Sequence, residues 1–258
     1  YKERKSLGAN LKDKILKAIN YDLDNTVFSF IPNTAEMAFY GMVEGMEEYL
    51  NEWKIKELAS GKELTPEQIQ TIVTKKVRQE KVANKDIKMR TFISTTDKRN
   101  DLASYVYDIT YGTIKPKVDN LVVIDDSIVR GTTLKQNILN ILDRLEPKKI
   151  IVVSSSPQIR YPDYYGIDME KFDHFVAFKA ALELLYENGK RSIIDETYRA
   201  CLEELKKPDA EQVNCTRAIY HHFTADEISK KIADLLKPVD LNADLELVFQ
   251  SLEGLHNA

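Results

Sequence analysis

Two adjacent aspartates, Asp125 and Asp126, have the clearest capacity for chemistry in this sequence. They end the apolar run VVI and are followed by SIVRGTT (127–133), which contains one glycine and three hydroxyl side chains. Carboxylates accept hydrogen bonds from sugar hydroxyls and bind divalent metals, whereas hydroxyl and backbone N–H groups at the start of a helix bind phosphate. A sugar phosphate, with or without a divalent metal, needs both kinds of group. Segment 122–133 therefore predicts a site for such a ligand.

A pair of aspartates at the end of a strand has a simpler interpretation, as a solvated turn or a helix cap. That alternative stays open for the two residues taken by themselves. The loop that follows contains neither Gly-Lys-Ser/Thr nor Gly-x-Gly-x-x-Gly, so it matches neither of two common phosphate-binding patterns. We expect a phosphate-binding loop of another kind.

The residues around this segment predict the elements that hold it. Segments 120–126 and 148–157 are continuous apolar strands, typical of a sheet that is buried on both faces. Segment 132–147 is an amphipathic helix whose apolar face consists of Leu134, Ile138, Ile141, Leu142 and Leu145. A strand–loop–helix–strand unit of this length implies a right-handed parallel crossover. Ligands of such sheets bind at the carboxyl ends of the strands, which is where Asp125 and Asp126 lie.

Other patterns predict helices over 1–19 and 35–53 and strands over 26–32 and 90–94. Two capping boxes, Thr65 with Gln68 and Thr224 with Glu227, indicate further helix starts. The polar segment 95–118 contains Tyr105, Tyr107 and Tyr111 and has no clear period, so we expect a functional loop that acts as a lid.

Composition narrows the class of protein. The chain has 258 residues with a net charge of −4, so no overall field attracts nucleic acid or an anionic membrane. No apolar run is long enough for a transmembrane helix. We expect no nucleic-acid or membrane partner and a cytoplasmic location. The two cysteines, Cys201 and Cys215, are expected to be reduced structural thiols. Because the first residue is Tyr1, we expect a fragment of a longer protein.

Three segments resemble a known family. VVIDDSIVRGTT (122–133) looks like the phosphoribosyl-pyrophosphate (PRPP) signature of type I phosphoribosyltransferases, and its DDSIVRGTT form is similar to that of the amidophosphoribosyltransferase family. SSPQIRYPDYYGIDM (155–169) resembles that family's segment after the next strand, and FSFIPNTAEMAFYG (28–41) resembles its pyrophosphate loop. RTFI (90–93) matches the strand before its flexible loop. The resemblance covers about residues 1–225, most securely 120–170.

The resemblance implies an α/β fold, a type I phosphoribosyltransferase-like doubly wound parallel sheet with a helical C-terminal tail. We expect the phosphoribosyltransferase domain at 1–195 and a helical extension of the same domain at 196–258.

The resemblance also implies roles for individual residues. Asp125 and Asp126 would be the catalytic residues, facing the ribose hydroxyls and Mg²⁺, and Thr34 would join the metal or pyrophosphate site. The 5′-phosphate would be bound by Ser127, Ile128, Val129, Arg130, Gly131, Thr132 and Thr133. Mg²⁺ is the implied cofactor. Arg160 and Tyr161 lie in a resembling segment without an assigned role.

The implied activity is that of an amidophosphoribosyltransferase, a glycosyltransferase that forms 5-phosphoribosylamine and pyrophosphate from PRPP and ammonia, the first step of de novo purine (IMP) biosynthesis. The family's N-terminal glutaminase has no counterpart here, so we expect the synthetase half, with a glutaminase domain in the full-length protein and ammonia as the nitrogen source. Asp163 stands where some members have a cysteine that binds an iron–sulfur cluster, so no iron–sulfur cluster is expected. The family suggests a homo-oligomer.

Two alternatives stay open. A non-catalytic PRPP-binding regulatory module would keep the same loop, but regulators of DNA need a basic reading module, and the pI is about 5.7. A salvage-type phosphoribosyltransferase is the other alternative, and only the resemblance of segment 155–169 argues against it.

Overall fold

A computed structural model describes residues 1–85, 107–163 and 169–258 of the chain. The strands are β1 (Thr26–Phe30), β2 (Arg78–Gln79), β3 (Ala83–Lys85), β4 (Tyr107–Ile109), β5 (Asn120–Asp125), β6 (Lys149–Ser154) and β7 (Asp244–Phe249). Five of them form one sheet in the order β2-β1-β5-β6-β7. Every pairing in this sheet is parallel. The α/β fold with a parallel sheet is thus confirmed.

The α-helices of the described residues lie before, between and after these strands in the sequence. Their bounds are α1 (Lys2–Ala9), α2 (Lys12–Ala18), α3 (Glu36–Leu58), α4 (Pro66–Thr74), α5 (Leu139–Asp143), α6 (Val176–Glu187), α7 (Ser192–Glu204), α8 (Arg217–Tyr220), α9 (Ala225–Leu236) and α10 (Leu252–His256). Among the described residues, no helix combines the length and the apolar character needed to cross a bilayer.

The strands predicted at 26–32, 120–126 and 148–157 are confirmed as β1, β5 and β6. Their Val, Ile, Leu and Phe side chains are buried on both faces of the sheet, as continuous apolar runs predict. Strands β2 and β7 were not predicted. The tail 196–258, which was expected to be helical, contains α8, α9 and α10 and also β7, which pairs with β6.

Both predicted capping boxes are confirmed. The Thr65 hydroxyl accepts from the Gln68 backbone N–H at 3.3 Å, and the Gln68 amide oxygen accepts from the Thr65 backbone N–H at 2.9 Å. Thr224 and Glu227 make the same reciprocal pair at the start of α9. The helix predicted over 1–19 is two helices, because the chain turns at Asn10 and Leu11.

The helix predicted over 132–147 has an unexpected start. Leu134–Ile138 is a π-helix that continues into the short α5. The predicted apolar face is nevertheless buried in full, at Leu134, Ile138, Ile141, Leu142 and Leu145. The strand expected at 90–94 and the first half of the expected lid, 95–106, lie outside the described residues. Of the lid, residues 107–109 form β4, which pairs antiparallel with β3.

The chain divides into two compact units. Unit 1 comprises Tyr1–Ser127, Thr133–Pro157 and Pro238–Ala258, and therefore holds the sheet. Unit 2 comprises Ile128–Thr132 and Gln158–Lys237. The expected domain boundary at 195 falls within α7, which belongs to unit 2.

One face of the sheet in unit 1 packs against α2, the residue Leu11 before it, and α3. That face carries five fully buried side chains, Phe28, Val122, Ile124, Ile151 and Val153. The helices contribute Leu11, Ile15, Leu16, Met42 and Met46 to the same cluster. Because these strand residues alternate with others that point away, the packing fixes the register of the strands.

Helices α1 and α3 approach each other unusually closely, through glycines. A Cβ atom placed on Gly41 would lie 1.8 Å from the backbone oxygen of Lys5, and one on Gly8 would lie 1.8 Å from that of Ala38. Only hydrogen fits at such positions, so both glycines are required for the two backbones to meet. Gly45, one turn further along α3, is different: its added Cβ would meet the Lys12 side chain at 3.3 Å.

A bidentate ion pair links β2 to the segment before β5. Arg78 donates to both carboxylate oxygens of Asp119 at 2.7 Å, and the Lys115 backbone N–H donates to the same carboxylate. The Asp119 side chain is fully buried. Burial raises the pKa of Asp119, but the hydrogen bonds from Arg78 and Lys115 outweigh it, so the net pKa is lowered.

Replacing Gly41 with Ala should lower the free energy of unfolding by about 2–3 kcal/mol, because helices α1 and α3 would have to separate. Gly45→Ala is the matched control in the same helix, and it should stay within about 1 kcal/mol of the wild type, since the added methyl also favours the helix. Urea denaturation of the two variants measures both values. Equal losses of unfolding free energy in the two variants would contradict the close approach of α1 and α3 at Gly41.

Replacing Asp119 with Asn should destabilise the chain by about 2 kcal/mol at neutral pH, because Arg78 loses its charged partner. The folded pKa lies below the unfolded one, so the pair contributes fully above about pH 4 and loses its contribution as pH falls through the folded pKa. The difference between wild type and variant should therefore shrink in acid.

Chemical denaturation from pH 7 down to pH 2.5 would follow that difference. The control is Asp24→Asn, which removes an exposed carboxylate that pairs with Lys75. It should cost less than about 1 kcal/mol at any pH. A difference for Asp119→Asn that does not change with pH would be inconsistent with the ion pair.

Candidate functional site

The carboxyl ends of β1, β5 and β6 meet at one edge of the sheet in unit 1. Phe30 is in register with Ile124, and Asp125 with Ser154. The backbone N–H of Ile31 continues the ladder by donating to the Ile124 oxygen at 2.9 Å. Residues that follow these strands therefore emerge at the same edge, where parallel sheets bind their ligands.

Asp125 and Asp126 lie at this edge, as predicted. Asp125 is the last residue of β5 and is partly buried, whereas Asp126 is exposed. Each carboxylate accepts from the backbone N–H of the next residue, Asp125 from Asp126 at 2.8 Å and Asp126 from Ser127 at 2.9 Å. These local bonds hold the two side chains in place at the end of β5.

Ser155, which the sequence analysis did not select, fixes the backbone of the two aspartates. Its backbone N–H donates to the Asp125 oxygen at 2.9 Å, and its hydroxyl donates to the Asp126 oxygen at 3.2 Å. The neighbouring Ser154 hydroxyl donates to the Ser156 oxygen at 2.8 Å. A run of three serines directly after an apolar strand was the available signal for this arrangement.

Thr34 lies between β1 and α3, in the segment expected to form a pyrophosphate loop. Thr34 and Asn33 are exposed, whereas Pro32 and Ala35 on either side are buried. The Pro32–Asn33 peptide bond is cis. Since β1 is hydrogen-bonded to β5 along its whole length, this segment starts at the same edge of the sheet as Asp125.

The centre of the loop, Ile128–Thr132, belongs to unit 2. Ile128 is buried, and the Val129 oxygen accepts from the Val176 backbone N–H at 2.9 Å. Gly131 has a φ of 70°, in the left-handed region that favours glycine. A Cβ atom on Gly131 would lie 2.5 Å from Cδ2 of Leu236, which is itself buried. Both backbone conformation and space therefore require glycine here.

Arg130 contacts a histidine that the sequence analysis missed. Its guanidinium lies 2.7 Å from Nδ1 of His174. A guanidinium only donates hydrogen bonds, so Nδ1 accepts and the ring proton is on Nε2. His174 ends a 3₁₀-helix, Phe172–His174, directly before α6. No local pattern in the sequence signals a contact between residues so far apart in the chain.

Residues 158–163, which belong to the segment resembling the family, are held by Tyr220 within unit 2. The Tyr220 hydroxyl donates to the Arg160 oxygen at 2.7 Å, the Arg160 guanidinium lies over its ring, and Tyr161 packs edge-on against it. Burial raises the pKa of Tyr220, so it remains a protonated donor. The Gln158 side chain donates to Ser229 and to the Ala225 oxygen, both at 2.8 Å.

The carboxylates fit a divalent cation that arrives with its substrate. Within residues 1–85, 107–163 and 169–258 there is no group of three or more acidic, histidine or cysteine side chains that could hold a metal by itself. Mg²⁺ is commonly bound by one or two carboxylates together with waters and the oxygens of a phosphorylated substrate. The oxygen donors of Asp125, Asp126 and Thr34 suit that mode of binding.

Comparison with known proteins supports the resemblance seen in the sequence. Over 123 residues the chain is 35% identical to the amidophosphoribosyltransferase of Haemophilus influenzae, covering 45% of this chain and 24% of that protein. The Escherichia coli enzyme is 29% identical over 129 residues, 48% of this chain and 25% of the enzyme. The Pyrococcus horikoshii enzyme is 42% identical over 74 residues, 28% of this chain and 16% of the enzyme. No family model matches the chain.

The fold matches solved structures along nearly the whole chain. A glutamine PRPP amidotransferase from B. subtilis, complexed with ADP and GMP, matches 98% of this chain and 36% of its own with a TM-score of 0.50 and 20% identity. A structure described as the allosteric regulatory enzyme of purine biosynthesis matches with the same TM-score and identity. The likeness shows the fold, and the chain spans about a quarter of the length of the first two curated relatives.

Replacing Gly131 with Ala should lower the free energy of unfolding by about 2–4 kcal/mol, because a strained φ is combined with a clash against Leu236. Gly189→Ala is the control within unit 2: its φ is 68°, and nothing lies within 4 Å of an added Cβ. It should cost only about 1 kcal/mol, for the backbone strain alone. Thermal and urea denaturation measure the two variants, and equal losses would mean that Leu236 does not restrict the loop.

Proposed function

We propose that this chain is the phosphoribosyl-transferring half of an amidophosphoribosyltransferase, which forms 5-phosphoribosylamine and pyrophosphate from PRPP and ammonia. One observation carries the proposal. Two carboxylates at the carboxyl end of a central parallel strand are followed, within seven residues, by a glycine-containing loop and the start of a helix. The names of the similar proteins support the same activity.

In the proposed reaction, the bond between the anomeric carbon of PRPP and the pyrophosphate oxygen breaks, and a carbon–nitrogen bond to ammonia forms. Positive charge develops on the sugar ring as pyrophosphate leaves. Asp125 and Asp126 would complement that charge while their oxygens accept hydrogen bonds from the ribose hydroxyls. Their task is then positioning and electrostatics, and neither has to remove a proton from neutral ammonia before it attacks.

Residues 127–133 would bind the 5′-phosphate of the substrate. Ser127, Thr132 and Thr133 supply hydroxyl donors, Arg130 supplies a guanidinium, and the backbone N–H groups at the helix start favour an anion. Gly131 lets the backbone bend without a side chain in the way. Holding both ends of the sugar phosphate would align the anomeric carbon with the incoming ammonia.

Asp125, Asp126 and Thr34 would hold Mg²⁺ together with the substrate's oxygens. The cation, when bound, would neutralise negative charge on the departing pyrophosphate. The glutaminase that supplies ammonia in the relatives would belong to the rest of the full-length protein. Free ammonia should then replace glutamine as the nitrogen source for this chain.

The test is Mg²⁺-dependent pyrophosphate release from PRPP, with ammonium chloride or glutamine as the nitrogen source. Release should require ammonium chloride, and Asp125→Asn and Asp126→Asn should each reduce its rate at least about 100-fold through lost electrostatic stabilisation. Asp240→Asn, which changes an exposed carboxylate in the segment before β7, should keep the wild-type rate.

The alternatives predict other outcomes. A PRPP-binding regulatory module would bind PRPP without releasing pyrophosphate from it. A salvage-type transferase would release pyrophosphate with a purine or pyrimidine base and not with ammonia. Either result would overturn the proposal, as would release that is unchanged in Asp125→Asn and Asp126→Asn.

A further inference from the structure

The two cysteines of the chain, 14 positions apart in sequence, are neighbours in unit 2. Cys201 lies in the last turns of α7, and Cys215 lies two residues before α8. Their thiols lie close enough to influence each other electrostatically. Both side chains are partly accessible to solvent, and both are free thiols.

The chain between the cysteines folds back onto α7 through a set of polar contacts. The carboxylate of Glu204 accepts from the Val213 backbone N–H at 3.0 Å and from the Lys207 ammonium at 2.7 Å. The Gln212 side chain donates to the Lys207 oxygen at 3.1 Å. Glu204 is three residues after Cys201, and Val213 is two residues before Cys215. These contacts therefore bring the two thiols together rather than leaving Cys215 on a free loop.

We propose that Cys201 and Cys215 are a reversible disulfide site. The proposal rests on the proximity of the two thiols and on the hydrogen bonds of Glu204 with Val213 and Lys207, which fold segment 205–214 back onto α7. It is independent of the proposed function, because no residue involved belongs to the candidate site.

The oxidant would be a small-molecule disulfide such as oxidised glutathione. The Cys215 thiolate attacks one sulfur of that disulfide, forming a mixed disulfide and releasing one glutathione thiolate. The Cys201 thiolate then attacks the Cys215 sulfur and releases the second glutathione. The two protein thiols lose two electrons and two protons in all, and one molecule of oxidised glutathione becomes two of reduced glutathione.

The order of the two steps follows from the surroundings of Cys201. Burial and the adjacent Cys215 thiol raise the pKa of Cys201, so that it is a poor nucleophile towards an external disulfide. In the second step its target is held beside it, and proximity compensates for the small thiolate fraction.

A disulfide here would connect α7 to the helix that supports segment 158–163. Cys215 accepts from the Ala218 backbone N–H in α8, and α8 ends with Tyr220, whose hydroxyl donates to Arg160. Oxidation would therefore close residues 201–215 into a covalent loop that starts in α7 and ends two residues before α8, while leaving these non-covalent contacts in place.

The whole folded chain, treated with oxidised glutathione under native conditions, should lose both free thiols and two hydrogens in mass. Peptide mapping should identify a Cys201–Cys215 link in the monomer, and reduction should restore both thiols. Cys201→Ser should instead keep a single glutathione adduct on Cys215, and Cys215→Ser should react only slowly, because Cys201 is the poorer nucleophile. Stable glutathione adducts on the wild type, or disulfide-linked dimers, would overturn the proposal.

A second pair of variants tests the role of the fold-back. Glu204→Gln should slow formation of the internal disulfide about 5- to 10-fold, because charge-assisted hydrogen bonds that align the thiols are weakened. The control is Glu203→Gln, since Glu203 is exposed and pairs with Lys206; its rate should equal that of the wild type. Equal rates for both variants would contradict the positioning by Glu204.

Discussion

The parallel hydrogen-bond ladder through β1, β5, β6 and β7 is the constraint on which the rest of unit 1 depends. It aligns Phe30 with Ile124, Asp125 with Ser154, and Ser154 with Phe249, so four strands end at one edge. A slip of one residue in β5 would turn Val122 and Ile124 away from the helical layer and expose them to the opposite face. The packing of the core therefore decides where the two carboxylates lie, and the chemistry of the edge depends on apolar contacts far from it.

Helix packing extends this control to the segment that contains Thr34. Helix α3 begins two residues after Thr34, and its first turns are held against α1 by contacts between backbones at Gly8 and Gly41. Helix α3 cannot shift along α1 without a clash, since a residue with a Cβ atom would then meet backbone atoms where only glycine fits. The start of α3 is thus fixed by its packing on α1, and the end of β1 is fixed by its pairing with β5. A short exposed segment between two such anchors keeps a defined place at the edge of the sheet.

Local patterns were sufficient to predict much of this arrangement and could not predict the rest. Strands β5 and β6 are continuous runs of Val, Ile and Leu, and the capping boxes are contacts between residues three apart. Strand β7 alternates charged and apolar residues and pairs with β6, which lies about a hundred residues earlier, so its partner is not visible in its own sequence. The same holds for His174, which meets Arg130 only after folding. Ser155 could have been selected, because three serines after a buried strand are unusual.

The ends of the described chain meet in unit 1. The Gln250 side chain donates to the Leu7 oxygen, Asn10 donates to the Gly254 oxygen, and Lys14 donates to the Phe249 oxygen. The larger part of unit 2, Gln158–Lys237, is an insertion between β6 and β7 of unit 1. On the ribosome, residues 158–237 emerge before β7 does, so α6 to α9 can pack while the edge of β6 is still unpaired. Strand β7 then pairs with β6, and until that moment β6 presents an open edge that has to be kept from pairing with other chains.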